Sequence, residues 1–159
     1  MNSDQPHVIS GQHHGQRIPS RVLEEHIQQA IQEGKRFLVV NALGQHGIGG
    51  RIWRSNSDPV HLNVQGHPGQ RVGSMGYPHT TIKVMGPASD DVGWLNAGAE
   101  IVILGNASNG VANAMAQGKV YVAGNIGARG MTMTKHNPRF SPPELWVLGS
   151  AGDYFGEFM

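Results

Sequence analysis

The chain has 159 residues, 23 glycines, 14% charged residues and a net charge of +1, which argues against a nucleic-acid binder with its clustered basic face. The absence of cysteine excludes disulfides, thiolate zinc sites and iron–sulfur ligation by this chain. No apolar run approaches the roughly 18 residues of a membrane span, and the N-terminus lacks a signal-peptide pattern, so we expect a single-domain cytoplasmic protein over residues 1–159.

Residues 1–35 form an N-terminal segment that differs from the rest of the chain. The run HVIS at 7–10 is expected to be a loop or an edge strand, and a helix is expected to follow Ser20. Apolar residues recur at helical spacing on one face, at Val22, Leu23, Ile27, Ala30 and Ile31. Ser20 is the expected N-cap and Gly34 the expected C′ residue. We expect this helix to cover the open end of the structure that follows.

The segment 36–59 is expected to supply an irregular first strand and two loops. Phe37–Val40 is the strand, residues 44–50 (GQHGIGG) are a glycine-rich turn, and residues 54–59 (RSNSDP) are a polar loop. A second insertion, HNPRFSPPE, lies at 136–144. Insertions of this kind usually project from one face of a repeat structure, and that face is often the binding face.

A repeat with a period near 20 residues dominates the chain from residue 62 onward. Five short apolar runs each end in glycine, at LNVQG (62–66), IKVMG (82–86), IVILG (101–105), VYVAG (120–124) and LWVLG (145–149). The glycine spacings are 20, 19, 19 and 25 residues, and the second insertion lengthens the last. Such a period is typical of a solenoid. We therefore expect an all-β solenoid over residues 36–159, with rungs of about 20 residues and the N-terminal helix as a cap.

Equivalent positions of the repeat also share chemistry. The fourth residue after the glycine is polar in Gln70, Asp90, Asn109 and Asp153. In a stack with strands about 4.8 Å apart, these side chains can form a hydrogen-bonded ladder or face solvent. The sixth residue is apolar or small in Val72, Val92, Val111, Gly130 and Phe155. The ninth is apolar or small in Met75, Leu95, Ala114, Met133 and Phe158. We expect both apolar columns to build the core.

Two patterns suggest ligand binding, each with a structural alternative. The run from Gly44 to Gly50 could bind a phosphate, but a dinucleotide fingerprint lies between a strand and a helix. No helical pattern follows Gly50, so a structural turn is favoured. The nine histidines could supply metal ligands. They lack close i, i+4 pairs, and the neighbours His13 and His14 would point to opposite faces of a strand, so exposed loop histidines are favoured.

Charged residues leave two further hypotheses open. Asp90, Asp91 and Asp153 could act as acid and base. At three strand spacings, however, Asp90 and Asp153 would be about 14 Å apart, which is beyond the carboxylate separations of glycosidases. Capping of turns is the favoured role. Arg71 and Arg129 share one column and could bind an anion or the acids of a partner, with solvent-facing arginines as the alternative.

Three glycine-containing runs, at 44–49, 69–73 and 149–157, resemble those of the GXGXG domain. That domain is the C-terminal part of the glutamate synthase large (alpha) subunit. It is also a stand-alone subunit, subunit 3, of archaeal-type glutamate synthases, and it occurs in N-methylglutamate synthase complexes. The formylmethanofuran dehydrogenase C subunit is a more distant relative. The resemblance covers about residues 10–159 and departs at Gly130 and Met131, where the family pattern has Val-Gly.

The resemblance implies a right-handed parallel β-helix without catalytic, cofactor-binding or metal-binding residues. Together with the repeat, it implies structural turn positions at Gly44, Gly47, Gly69, Gly73, Gly86, Gly93, Gly105, Gly124, Gly152 and Gly156. It also implies two partners, an amidotransferase that releases ammonia and a synthase part that carries FMN and iron–sulfur. This chain would bind no cofactor itself and would hold the two active sites in a fixed geometry as an assembly subunit.

Two other functions stay open from the sequence. The chain could be an independent enzyme or small-ligand binder that uses a groove beside the loops at 54–61 and 136–144. It could also form a homo-oligomer, which is compatible with either function. The last repeat carries Tyr154, Phe155 and Phe158, and another molecule should cover such an apolar rung.

Overall fold

The computed structural model describes residues 5–159. Its elements follow one another as β1 (His7–Ser10), β2 (Gln12–His13), β3 (Gln16–Arg17), α1 (Ser20–Gln32), β4 (Phe37–Leu43), β5 (Val60–His67), β6 (Thr80–Val84), β7 (Ala97–Ile103), β8 (Gln117–Val122) and β9 (Glu144–Val147). The strand predicted at 37–40 and the five strands predicted from the repeat are all present. The sequence pattern therefore located the strands correctly.

One parallel sheet contains seven of these strands, in the order β1-β4-β5-β6-β7-β8-β9. β2 and β3 form a separate antiparallel pair. The register of the sheet follows the glycine spacing of the sequence, since Leu62 pairs with Ile82, Ile82 with Ile101, and Ile101 with Val120. Because neighbouring strands are about 4.8 Å apart, the two outermost strands are separated by about 29 Å.

The expected all-β solenoid, a right-handed parallel β-helix with a capping helix, is wrong for this chain. The structure is a mostly parallel seven-stranded sheet with one helix, an α/β arrangement. The physical reason lies in the part of each repeat unit that follows the strand. A parallel β-helix needs further strands in every coil to form its second or third sheet. Each unit here contributes one strand and then continues as turns.

The N-terminal helix belongs to a β–α–β unit. β1 pairs in parallel with β4, with His7 opposite Leu38 and Ser10 opposite Asn41. α1 is therefore the crossover that a parallel pair of strands requires. The predicted role of this helix as a solenoid cap is wrong. The side chains that α1 buries against the core are Leu23, Ile27, Ala30 and Ile31. Of the two readings of HVIS, the edge strand is confirmed.

The sequence correctly predicts the C-terminal end of α1 but not its N-cap. The helix begins at Ser20 with Pro19 as its N-cap and without a side-chain cap. The Ser20 hydroxyl instead accepts a hydrogen bond of 2.9 Å from the His46 N–H. At the C-terminal end, Gly34 is the C′ residue with a φ of 91°. The N–H groups of Gly34 and Lys35 donate to carbonyls of the last turn, which is the Schellman arrangement.

The core lies between the inner face of the sheet and the turn segments. Buried strand residues include Leu62, Val64, Ile82, Val84, Ile101 and Ile103. From the turn side, the sixth-residue column contributes the buried side chains Val72, Val92 and Val111. The ninth-residue column does not build the core as expected, because Leu95, Met133 and Phe158 are exposed. Their φ angles of 56°, 57° and 59° place them in the left-handed region.

Candidate functional site

Three residues in each turn segment adopt the left-handed conformation, with one residue between them. The sets are 47, 49 and 51, then 71, 73 and 75, then 91, 93 and 95, then 110, 112 and 114, then 129, 131 and 133, and finally 154, 156 and 158. Glycine is the middle member in four sets, whereas Ala112 and Met131 adopt the same conformation with φ of 61° and 56°. For an L-residue this conformation costs on the order of 1 kcal/mol, so neighbouring interactions must hold it.

Backbone hydrogen bonds between adjacent units hold these left-handed residues. The first member of a set donates to the following unit, as the Asp91 N–H does to the Asn109 carbonyl at 2.8 Å. The third member, Leu95, donates its N–H to the Asn113 carbonyl of that following unit at 3.0 Å. The middle member, Gly93, donates to the Val72 carbonyl of the preceding unit at 2.9 Å. Each unit is thus bonded to its neighbours through its turns as well as through its strand.

Asparagine and aspartate side chains add a second ladder to the turns. Asp90 Oδ1 accepts a hydrogen bond of 3.0 Å from the Asn109 N–H, and Asn109 Oδ1 accepts one of 2.8 Å from the Ala128 N–H. Asn106 and Asn125 accept equivalent bonds of 2.8 and 2.9 Å from the units that follow them. The hydrogen-bonded ladder predicted for the polar column is confirmed at Asp90 and Asn109.

We predict that Asn109→Ala lowers the free energy of unfolding by about 1 kcal/mol, because the Ala128 N–H loses a hydrogen bond of the ordinary kind. Urea unfolding followed by circular dichroism measures the loss. Asn41→Ala is the matched control, since Asn41 is an exposed asparagine outside this ladder. If the two variants unfold at the same urea concentration, the ladder does not contribute to stability.

The predicted structural glycines serve two different purposes. A left-handed φ, between 69° and 83°, occurs at Gly44, Gly47, Gly73, Gly93 and Gly156. Close approach of a neighbouring segment occurs at Gly69, Gly105, Gly124 and Gly152. A Cβ on Gly69, for example, would lie 2.6 Å from the Gly44 carbonyl oxygen. Gly86 shows neither feature, and nothing in the structure explains a glycine there.

Backbone hydrogen bonds close the glycine-rich turn that begins at Gly44. The Gly44 N–H donates to the His67 carbonyl. The Gly47 N–H donates to the Gln70 carbonyl, and the Gly50 N–H donates to Gly47. A phosphate-binding loop needs its N–H groups free to point at the anion, and in the described chain no helix follows this turn. The geometry therefore favours a structural turn over a nucleotide site.

Gln45, in the same turn, is a buried polar centre that the sequence analysis missed. Its side chain is inaccessible to solvent. Its Oε1 accepts a hydrogen bond of 2.7 Å from the Leu43 N–H. Its Nε2 donates to the carbonyls of Gly11 at 2.7 Å and Ile18 at 3.0 Å. Gln45 thereby fastens the β–α–β unit to the first turn, and nothing in the sequence distinguishes it from the exposed Gln70.

The histidines are spread over several environments. Among residues 5–159, no three His, Asp or Glu side chains are grouped to hold a metal ion. His46 Nδ1 accepts a backbone hydrogen bond of 2.9 Å, and the His61 ring stacks on Phe37 with centroids 5.0 Å apart. The expectation that His13 and His14 point apart is wrong, since their ring centroids are 3.9 Å apart. The cause is the turn after β2, where His14 has a φ of 49°.

The candidate acid–base carboxylates are separated along the stack. Asp90 accepts its hydrogen bond from Asn109 of the next unit. Asp153 lies three units after Asp90 in the stack. At about 4.8 Å per unit, Asp90 and Asp153 are about 14 Å apart. Asp91 has a left-handed φ of 60° and donates its N–H to the following unit. These positions fit the turn-capping role better than shared acid–base chemistry.

The two arginines of the shared column contact aromatic rings of the next unit. The Arg71 guanidinium lies 5.0 Å from the centre of the Trp94 ring, and Arg129 lies 5.8 Å from that of Tyr154. A cation–π contact at an exposed site contributes about 0.5–1 kcal/mol. The arginines are therefore solvent-facing residues that also join one unit to the next.

Arg54 forms a second polar centre that the sequence analysis missed. Its guanidinium donates hydrogen bonds of 2.7 to 3.3 Å to the carbonyls of Ile52, Asp58, Pro78 and His79 and to the Thr80 hydroxyl. Burial lowers the pKa of Arg54, and the nearby Arg36 lowers it further, while Tyr77 and Asp58 raise it by smaller amounts. Arg54 thereby holds the polar loop at 54–59 against the beginning of β6.

A groove of about 310 Å³ lies beside the second insertion. Its polar lining consists of His79, Glu100, Gln117, Lys119 and Ser141. Lys119 also forms an ion pair of 3.5 Å with Glu144. The groove thus combines a carboxylate, an ammonium group and an imidazole in a space that suits a small molecule. The loop at 54–61 supports it only indirectly, through the hydrogen bonds of Arg54 to the backbone around His79.

The C-terminal unit, which we define as residues 144–159, exposes most of its apolar side chains. They are Trp146, Leu148, Tyr154, Phe155, Phe158 and Met159. The predicted interface residues Tyr154, Phe155 and Phe158 thus lie together at the surface. The charged residues of this unit are Glu144, Asp153 and Glu157, and it contains no lysine or arginine. The unit is therefore both apolar and acidic.

The fold defines this chain as a parallel α/β sheet protein whose turn segments are hydrogen-bonded from unit to unit. A scan against known protein families, a search of curated proteins and a search of solved structures find no match to it. In the part of the chain that the structure describes, no helix is long and apolar enough to span a membrane.

Proposed function

We propose that this chain is a non-catalytic structural subunit of a glutamate-synthase-like complex. In this proposal it positions an amidotransferase and an FMN-containing oxidoreductase in the cytoplasm. The glycine-containing runs at 44–49, 69–73 and 149–157 support the choice of complex through their resemblance to the GXGXG domain. The observation that carries the structural role is the double hydrogen-bonding of each unit, through strand and turn, to its neighbours.

Rigidity is the property that such a role requires. Two active sites that pass an intermediate between them depend on a maintained distance and orientation, and a fixed geometry supplies orientation without chemistry. Hydrogen bonds restrain each unit both at its strand and at its turn segment. The sheet keeps its outermost strands about 29 Å apart. The partner subunits would supply glutamine hydrolysis, FMN and iron–sulfur, whereas this chain supplies the spacing.

The outer face of the sheet and the second insertion are the surfaces proposed for partner contact. Val102, Tyr121 and Trp146 lie side by side on that face in the register of β7, β8 and β9. At the other end of the face, Phe37 stacks on His61. Exposed aromatic side chains are enriched in protein interfaces, so a partner subunit is the natural occupant of this face.

Purification of the native complex through this chain tests the proposal. We expect an eluate with flavin and iron–sulfur absorption and a band of amidotransferase size. Trp146→Glu should remove the partners, and Trp53→Glu, at another exposed tryptophan, should retain them. A colourless eluate that contains this chain alone would contradict the proposal.

The groove beside the second insertion supports a second candidate function, an independent small-ligand binder or enzyme. Glu100 and Lys119 supply opposite charges on its lining, so a small zwitterion such as an amino acid suits its chemistry. Titration of the isotope-labelled chain with glycine, glutamate and glutamine, followed at the amides of Gly98 and Gly118, tests it. Saturable chemical-shift changes that Lys119→Met abolishes would support this function. Unchanged chemical shifts of these amides would contradict it.

A further inference from the structure

A groove of about 300 Å³ lies on the outer face of the sheet, over β4, β5 and β6. Each of these strands contributes two outward-facing side chains, and together they form two rows across the strands. In register, one row consists of Phe37, His61 and Thr81, and the other consists of Val39, Asn63 and Lys83. The side chains of Leu38 and Leu62 point into the core, so these two residues line the groove through their backbone.

The first row carries an incomplete stack of flat rings. The Phe37 and His61 rings are parallel to within 6°, with centroids 5.0 Å apart, so Phe37 covers one face of the imidazole. On the other side, the neighbour of His61 in register is Thr81, whose side chain contains no ring. A flat ring placed over Thr81 would therefore continue the stack at the strand spacing of about 4.8 Å, which lies within the range that aromatic pairs prefer.

The second row supplies two polar groups without partners. Lys83 is exposed, and within residues 5–159 its ammonium group forms no ion pair. Asn63 Oδ1 is buried, and no hydrogen-bond donor reaches it in the described chain. A buried acceptor without a donor is rare in folded proteins and calls for an explanation. Asn63 and Lys83 are neighbours in register, so one ligand can contact both.

We propose that this groove binds a small aromatic carboxylate whose ring carries a hydrogen-bond donor such as a hydroxyl group. The ring stacks on His61 above Thr81, and the carboxylate pairs with Lys83 Nζ. The donor binds Asn63 Oδ1 once the carboxamide has rotated about its last side-chain bond. That torsion is broad and roughly two-fold, and the rotation breaks no hydrogen bond of the oxygen because the oxygen makes none.

Volume and charge both favour this class of ligand. The groove is at the lower end of the range for ligand sites, which suits a single ring with two substituents. The Lys83 ammonium attracts an anion and repels a cation, and the nearest carboxylate in the register, Glu100, lies opposite Thr81 rather than Lys83. The inference goes beyond the proposed function and does not depend on it, since the partner contacts proposed at Tyr121 and Trp146 lie on β8 and β9.

Titration of the isotope-labelled chain with para-hydroxybenzoate, followed at the amides of Leu38 and Leu62, tests this inference. We expect saturable chemical-shift changes. Three analogues each remove one feature of the ligand: benzoate lacks the hydroxyl donor, phenol lacks the carboxylate, and the saturated-ring analogue of para-hydroxybenzoate lacks the flat ring. Each should bind at least about fivefold more weakly, the factor that corresponds to the loss of one ordinary hydrogen bond.

Substitutions in both rows locate the site. Lys83→Met should raise the dissociation constant of para-hydroxybenzoate about tenfold, because it removes a charge-assisted hydrogen bond. Lys135→Met, at another exposed lysine, is the matched control and should leave the constant unchanged. Thr81→Phe should abolish binding, since the added ring takes the place of the ligand ring beside His61.

Asn63→Leu separates a ligand-binding role of this residue from a structural one. We expect this variant to bind para-hydroxybenzoate no more tightly than benzoate, while its urea midpoint stays at or above that of the parent chain, because the lost acceptor had no partner. A lower midpoint with an unchanged preference for the hydroxyl group would overturn the inference. So would the absence of saturable changes at millimolar para-hydroxybenzoate, or binding that Lys83→Met and Thr81→Phe leave intact.

Discussion

Gln45→Ala should lower the free energy of unfolding by about 3–4 kcal/mol, the largest loss expected here from a polar substitution. The side chain is fully buried, and its amide joins three backbone groups in three different segments. Truncation leaves the Leu43 N–H and the Ile18 carbonyl without this partner and creates a small cavity. Each unsatisfied buried group costs about 1–3 kcal/mol, and the cavity adds to that cost.

Urea unfolding of Gln45→Ala, compared with Gln70→Ala, measures this effect. Gln70 is an exposed glutamine of the next glycine-rich turn, so its replacement should change stability by less than about 0.5 kcal/mol. Hydrogen exchange should also rise selectively at Gly11 and Ile18, because Gln45 anchors the β–α–β unit at these residues. If both variants are as stable as the parent chain, this anchoring role is wrong.

Arg54→Met should lower the free energy of unfolding by about 2–3 kcal/mol. Methionine keeps the apolar stem of the side chain but loses five hydrogen bonds, to Ile52, to Asp58 of the polar loop and to residues 78–80 at the start of β6. Burial already lowers the pKa of Arg54, and its Nε is buried without a partner. Keeping the buried guanidinium charged therefore costs free energy in the folded protein. For this reason the loss of stability in Arg54→Met is smaller than the loss of five hydrogen bonds would suggest.

Two further variants sharpen the Arg54 experiment. Arg139→Met replaces an exposed arginine of the second insertion and should leave the urea midpoint unchanged. Arg54→Lys keeps the positive charge, but a lysine cannot reproduce the planar fork that reaches several carbonyls at once. It should therefore be destabilised nearly as much as Arg54→Met. Full rescue by lysine would show that the charge matters and the fork does not.

Local patterns located the strands and the end of the helix. An apolar run closed by glycine marked every strand of the repeat. Gly34 marked the end of α1 because a left-handed residue there satisfies the last carbonyls. The start of α1 was less predictable: Ser20 has the right chemistry for an N-cap, yet its hydroxyl binds the His46 N–H. That competition depends on a turn 26 residues away in the chain.

The two polar anchors were invisible to sequence reasoning for the same reason. Gln45 is bonded to carbonyls 27 and 34 residues earlier in the chain, and Arg54 to groups as far as 26 residues later. No spacing rule covers such partners. In the sequence, Gln45 resembles the exposed Gln70, and Arg54 opens a segment that reads as an ordinary polar loop. Only the folded chain shows which of the two glutamines is buried.

The repeat in the sequence is enough to predict its strands and their register, because a period of 19 to 20 residues brings equivalent positions of a parallel sheet side by side. The fold class, in contrast, follows from contacts that form when the chain folds. These contacts place β1 next to β4 across α1, and they hold Ala112 and Met131 in a conformation that glycine favours. Both outcomes depend on hydrogen bonds between segments that lie 20 or more residues apart in the chain, and these bonds outweigh the local preferences that a sequence reveals.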